Sequence, residues 1–263
     1  MFNFCSLYSG SSGNSLFVQT DNTKILVDAG ESAKKIETAL NSIDVNINDI
    51  DAVIVTHEHS DHIKGLSTIS KKFDIPIYAN KETWDAMPQV AEKTKNQNLF
   101  NVNEKFEIGD LKIVPFSIPH DATNPCGFNI FYNNQKISIA TDIGHIDKKI
   151  IKNLEESSFI LLESNYDPNI LSYSKYPYSL KQRIAGPKGH LSNEAAGKTV
   201  SYLLNSGLKN VMLGHLSKEN NFPELAYKTV IDELCASNFD ENKIKIAVAS
   251  RSNPSEILNL EVS

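Results

Sequence analysis

Cysteine is scarce in this chain, and its three copies are scattered. Cys5, Cys126 and Cys235 are odd in number and never fall in C-x-x-C spacing. That pattern excludes a disulfide framework and a cysteine-based zinc site, and it points to reduced thiols in a cytoplasmic protein. Long apolar runs are also missing. No stretch approaches the ~18 residues needed to cross a bilayer, so no membrane contact is expected. The first twenty residues lack a basic segment followed by an apolar one, so no secretory signal is expected. Positive charge is short, with 26 Lys and Arg against 32 Asp and Glu and a net charge of −6. Without a global basic field, any contact with a polyanion must come from a local patch or from metal ions. Tandem repeats, low-complexity tracts and linkers are absent too. A chain of 263 residues with 40% hydrophobic and 22% charged content fits one large α/β domain over residues 1–263.

What is present is concentrated in Ala52-Val-Ile-Val-Thr-His-Glu-His-Ser-Asp-His62. The β-branched run from Ala52 to Val55 reads as a buried strand. It ends in an H-x-H-x-D-H cluster. Side chains two apart on an extended chain point the same way, so His57 and His59 can share one ion. Asp61 and His62 follow as the chain turns toward a helix over 63–73, within reach of a second ion. Imidazole nitrogen and carboxylate oxygen suit zinc, manganese or iron.

Short strands are expected over 2–8, 15–20 and 24–28, and a helix over 32–43. The loop Ser9-Gly-Ser-Ser-Gly-Asn14 reads either as a tight hairpin or as a rim at which Asn14 meets a phosphate. Further strands are expected over 76–79, 111–118, 127–132, 136–140, 159–162, 209–213, 243–249 and 256–262. Helices are expected over 81–95, interrupted at Pro88, and over 147–155, 192–205 and 223–236. The segment 164–189 reads as irregular. Strands come first in hairpins and then alternate with helices, which suits two mixed sheets packed face to face with helices outside. Separate strands end in metal-type residues: His57 and His59, His120, Asp142 and His215. Ends along one sheet edge can converge.

The order H-x-H-x-D-H, a distant His, an Asp and a distant His resembles the metallo-β-lactamase superfamily. The resemblance runs over essentially the whole chain and implies an αββα sandwich holding two divalent ions. It implies that His57, His59 and His120 hold one ion, that Asp61, His62 and His215 hold the other, and that Asp142 bridges them. The motifs Cys5-Ser-Leu-Tyr-Ser-Gly-Ser-Ser-Gly-Asn-Ser15, Glu163-Ser-Asn-Tyr-Asp167, Gly189-His-Leu-Ser-Asn193 and Gly214-His-Leu-Ser-Lys-Glu-Asn-Asn221 are similar to the YycJ/WalJ-type branch of exonucleases acting on DNA. Glu163 and His190 resemble the Glu/His pair with which ribonuclease Z assists phosphodiester cleavage. Two departures separate this chain from other branches. The bridging position is Asp142 rather than Cys, and only 26 residues lie between Glu163 and His190, too few for a β-CASP domain.

The chemistry this implies is metal-assisted hydrolysis. Two ions roughly 3.5–4 Å apart activate a shared water, neutralise a phosphate oxygen and fix in-line geometry. Asp61, Glu163 and His190 are the expected catalytic residues, with His190 supplying a proton to the leaving oxygen and Glu163 holding it protonated. Asp49, Asp51 or Glu58 could orient the ligand imidazoles, and the sequence does not choose between them. His145 matches no motif and reads as a surface residue. Segment 168–193 holds Lys175, Lys181, Arg183 and Lys188, no acidic residue, and Tyr173, Tyr176 and Tyr178. Lysine and arginine contact phosphates and tyrosine offers a stacking face, so Tyr176, Lys181 and Arg183 are expected to bind a DNA strand. A solvated loop with its tyrosines packed down as anchors is the plainer reading. Alternatives for function are a small cyclic phosphodiesterase, a glyoxalase II-like thioesterase, and a non-catalytic metal-binding module. Oligomeric state stays open, a homo-oligomer included.

Overall fold

A computed structural model describes residues 1–237 and 244–260. Two mixed β-sheets flanked by helices form the fold. The strands are β1 (Asn3–Tyr8), β2 (Ser15–Gln19), β3 (Lys24–Val27), β4 (Ala52–Ile54), β5 (Ile77–Ala79), β6 (Gln97–Leu99) and β7 (Phe106–Ile108). They continue with β8 (Leu111–Ser117), β9 (Cys126–Tyr132), β10 (Gln135–Ala140), β11 (Phe159–Glu163), β12 (Asn210–Gly214), β13 (Lys245–Val248) and β14 (Leu258–Asn259). By contacts the chain divides into two compact units: Met1–Ser117 with Ala122–Gln135 and Ser250–Ser263, and Ile118–Asp121 with Lys136–Ala249.

In the first unit, β14-β1-β2-β3 pair antiparallel, and β3-β4-β5-β6 pair parallel. Parallel neighbours end at the same edge, so β3 and β4 deliver Asp28 and Thr56-His57 side by side. β4 has no exposed residue because Val53 and Val55 pack among Leu26, Ile36, Leu66 and Trp84. Each such buried aliphatic side chain contributes roughly 1.5–3 kcal/mol, which fixes where the strand stops. β7-β8-β9 form an antiparallel meander in the same unit.

In the second unit, β10-β11-β12-β13 are all parallel. Their C-terminal ends carry Asp142, Glu163 and His215 to one edge, the usual place for a site in a parallel sheet. Helix Asn193–Leu204 buries Ala196, Val200 and Leu203 and packs on helix Pro223–Ala236.

Several elements differ from the sequence expectation. Segment 164–189 is not irregular: it folds into helices Pro168–Tyr173 and Tyr178–Ile184. Asp167 caps the first by accepting from Asn169 N and Ile170 N, a start signal hidden in a stretch with weak apolar periodicity. The helix expected over 63–73 starts earlier and breaks at Gly65, giving Ser60–Ile63 and Leu66–Phe73. β6 and β7 were not expected, being three-residue strands too short for a pattern. The last two expected strands are observed as β13 and β14; Lys243 and residues 261–262 lie outside the described residues.

Candidate metal centre and active site

In the first unit the H-x-H-x-D-H cluster sits where predicted, after β4. His57 is fully buried, and its ring centroid lies 4.6 Å from that of His59 and 4.1 Å from that of His62. His59 caps helix Ser60–Ile63, which carries Asp61 and His62, and His62 Nε2 is 3.6 Å from Asp61 Oδ2. The residue that organises these imidazoles is Asp28, at the end of β3. His62 Nδ1 donates to Asp28 Oδ2 at 2.8 Å, and Thr56 gives Asp28 both its N–H (2.9 Å) and its hydroxyl (2.8 Å). The Thr56 oxygen, having donated its proton, accepts from His57 Nδ1 at 3.0 Å. One carboxylate thus sets the tautomer of two histidines and leaves both Nε2 atoms unprotonated, the form a metal ligand needs. Asp28 was not among the predicted supports. Asp51 accepts from Lys24 N, Asp49 from Lys24 Nζ, and Glu58 from Thr123, so none of those three reaches an imidazole. The signal for Asp28 was available in the sequence: it follows an apolar run, as the ligand residues do.

The Ser9–Asn14 loop supports this cluster from outside. Asn14 is buried, and its amide lies 3.1 Å from His62 Nε2 and 3.4 Å from Asp61 Oδ2, while its N–H donates to Asp61 O at 2.8 Å. Its side chain therefore braces the cluster rather than lining an open rim. Gly30 closes the contact, because a Cβ there would lie 1.6 Å from Asp61 O.

In the second unit four groups converge. One ligand-type atom from each of Asp142, Glu163, His190 and His215 lies within 4.8 Å of the others. Glu163 is fully buried and accepts four hydrogen bonds. Oε1 takes His215 Nδ1 (2.7 Å) and His190 Nδ1 (2.9 Å), and Oε2 takes Ile143 N (2.8 Å) and Leu191 N (3.0 Å). Burial would raise its pKa, but His190 and His215 hold it down at about 2. An ionised carboxylate only accepts, so both histidines carry their Nδ1 proton and present Nε2. Burial alone would lower His190, yet the Glu163 carboxylate beside it leaves its pKa raised. His120 is tied through Nδ1 to Gly189 O at 3.1 Å, and its Nε2 lies 3.7 Å from Asp142 Oδ1. Burial lowers its pKa despite Asp142, which favours the neutral ring a metal needs. Asp28, Asp142 and His215 all have left-handed backbone, with φ of 63°, 59° and 55°. Left-handed residues other than glycine cost free energy and cluster at functional sites.

The donor set fits divalent metal ions. His57, His62, His120 and His215 each have Nδ1 on a protein oxygen, the arrangement that fixes a metal-ligating imidazole. Of the predicted strand-binding residues, Tyr176 is half-buried, Lys181 Nζ donates to Ser172 O at 2.7 Å, and Arg183 Nε pairs with Asp121, next to His120. Lys181 and Arg183 thus have partners within the protein. Tyr173 and Tyr178 are instead the open aromatics, 89% and 75% exposed, so they are not packed anchors. His145 is exposed, as expected, with Nδ1 donating to Pro187 O at 2.9 Å.

Strands that end in buried carboxylates and imidazoles, with their outer nitrogens tied back, define a metallo-hydrolase fold. The chain belongs to the beta-lactamase superfamily, whose domain description matches residues 23–215. It is 38% identical over 238 residues to exodeoxyribonuclease YycJ of Bacillus anthracis, covering 90% of each chain. It is 37% identical over 241 residues to exodeoxyribonuclease WalJ of Streptococcus pneumoniae serotype 2, again covering 90% of each. Among solved structures, the metallo-beta-lactamase fold protein YhfI of Bacillus subtilis shares the fold, with a TM-score of 0.72 and 16% identity over 97% of this chain and 100% of that one. Zn2+-bound PqqB of Methylobacterium extorquens does so with a TM-score of 0.72 and 14% identity, covering 98% of this chain and 100% of that one. The family, fold and branch expected from the motifs are borne out.

Proposed function

We propose that the protein is a metal-dependent phosphodiesterase that degrades DNA from a 5′ end, acting as one hydrolase domain over residues 1–263. Its likeness to two exodeoxyribonucleases along most of their length supports the substrate class. The observation that carries the mechanism is Glu163 Oε1, which holds His215 and His190 together. His57, His59, Asp61, His62, His120, Asp142 and His215 are the residues that would hold two divalent ions, of zinc, manganese or iron. When bound, such ions supply an activated water and neutralise phosphate charge. Glu163 keeps a proton on His190 Nδ1, so the proton delivered to the leaving oxygen comes from Nε2. The enzyme works in the cytoplasm, with Cys5 and Cys126 buried as free thiols.

The test is digestion of 5′- and 3′-labelled single- and double-stranded DNA with manganese and zinc each supplied. Loss of 5′ label first, absent in Asp61→Ala, is the expected result. Turnover of a thioester but of no DNA would reject the reading.

Helices Pro168–Tyr173 and Tyr178–Ile184 are proposed to guide the strand, with Tyr173 and Tyr178 as stacking faces and Lys175 and Lys188 as phosphate contacts. Losing one stacking face costs ~1–3 kcal/mol per base. Tyr173→Ala/Tyr178→Ala should therefore weaken single-strand DNA binding about tenfold or more. Lys175→Ala/Lys188→Ala should instead flatten the dependence of affinity on salt, since each phosphate contact contributes roughly one unit of slope. Unchanged affinity and slope would remove these helices from the interface.

A further inference from the structure

A cavity of about 400 Å³ opens in the second unit beside His190. Its lining includes His190, Tyr166, Ser192, Lys198, Thr199 and Tyr202. Nothing above uses it. Its volume suits one small polar ligand of nucleotide size. One wall is a single face of helix Asn193–Leu204. Ala195, Lys198, Thr199 and Tyr202 recur at i, i+3, i+4 and i+7, so they stack along that face, while Ala196, Val200 and Leu203 point into the core. On this second face Thr199 is buried, but Lys198 and Tyr202 are exposed, and core packing does not account for them. Tyr202 is 56% exposed at the cavity wall, an aromatic ring held partly in water, and Lys198 beside it is exposed too. A flat ring and a cation one turn apart match a base and a phosphate.

We infer that this cavity binds the 5′-terminal nucleotide of the DNA strand, with its base on Tyr202 and its 5′-phosphate at Lys198. The inference rests on the phosphodiesterase reading and adds the substrate's terminal subsite to it. The bond balance places the cavity on the correct side. In hydrolysis from a 5′ end, the water oxygen joins phosphorus and the P–O3′ bond breaks. The departing O3′ takes the proton from His190 Nε2, and the water's own proton passes to solvent. That O3′ belongs to the terminal nucleotide, so the leaving group must lie on the His190 side. A cavity with room for a single nucleotide there sets the product at one nucleotide per cut. The remaining strand lies on the phosphorus side and is cut again from its new 5′-phosphate.

The metal-loaded protein is titrated with a deoxynucleoside 5′-monophosphate, and 5′-phosphorylated and 5′-hydroxyl oligonucleotides are compared as substrates. Tyr202→Ala and Lys198→Ala are surface changes that spare the core. Each should weaken monophosphate binding about tenfold, within the range for loss of one stacking face or one phosphate contact. KM for the phosphorylated oligonucleotide should rise and kcat should change little. The preference for a 5′-phosphate, present in the wild type, should vanish in Lys198→Ala. Monophosphate affinity unaltered in both variants, or products longer than one nucleotide, would overturn the proposal even in an active nuclease. If no DNA is cut yet both variants still lose monophosphate binding, the cavity stands as a nucleotide site and the nuclease reading fails.

Discussion

Replacing His190 by alanine is expected to slow DNA hydrolysis by about 10²–10⁴-fold, the usual contribution of a positioned general acid, with bound metal unchanged. The reason lies in the leaving group. An alkoxide is expelled slowly unless it is protonated, whereas p-nitrophenolate leaves unaided. Hydrolysis of bis-p-nitrophenyl phosphate by His190→Ala should therefore fall far less than hydrolysis of DNA. The His190 ring is partly exposed, and its carboxylate contacts both run through Nδ1, to Glu163 at 2.9 Å and to Asp142 at 3.7 Å, so its removal leaves Nε2 chemistry as the main loss. Equal loss on both substrates would show that His190 positions the site instead of donating a proton. Undiminished DNA cleavage would remove it from the chemistry altogether.

Asp142→Ala is the second large effect. This carboxylate is almost fully buried, with Oδ1 3.4 Å from His215 Nδ1 and 3.7 Å from His120 Nε2. A carboxylate has two oxygens and can face two ions, which a single imidazole nitrogen cannot do. Its loss should remove metal measured directly in the purified protein, and activity should fall with it beyond detection. Asp28→Asn serves as the graded comparison. It keeps the shape but weakens the acceptor for His62 Nδ1 and the Thr56 hydroxyl. Loss of such an outer partner costs 10–100-fold in metal affinity. Excess metal should therefore restore Asp28→Asn and leave Asp142→Ala inactive. Full metal content in Asp142→Ala would dismiss it as a ligand.

Much of this site was legible because its chemistry is written in residue order. A buried β-branched strand running into H-x-H-x-D-H predicts a ligand cluster without reference to any other protein. His120, Asp142 and His215 each follow an apolar run, so strand-end logic found them as well. The support shell was harder to read. Asp28 follows an apolar run, which Asp49 and Asp51 do not, but only parallel pairing of β3 with β4 shows that it lies beside Thr56 and His57. The helices within 164–189 were missed because they are short and lack clear apolar periodicity; Asp167 caps the first, and the second, starting after Pro177, has no side-chain cap. Lys181 and Arg183 were read as phosphate contacts from charge alone, and their internal partners depend on tertiary placement.

Left-handed corners at Asp28, Asp142 and His215 bear on how this enzyme can drift. Among non-glycine residues, Asn, Asp and His tolerate that backbone best, while β-branched side chains are excluded. Every member of the same short menu carries an oxygen or nitrogen donor suited to a hard or borderline cation. Turn geometry alone therefore filters mutations at these corners down to amino acids that still resemble ligands. A descendant losing catalysis by neutral substitution would pass first through asparagine, with its corners intact and its affinity for cations reduced. Such a sequence would look like a working hydrolase by shape long after it had stopped being one.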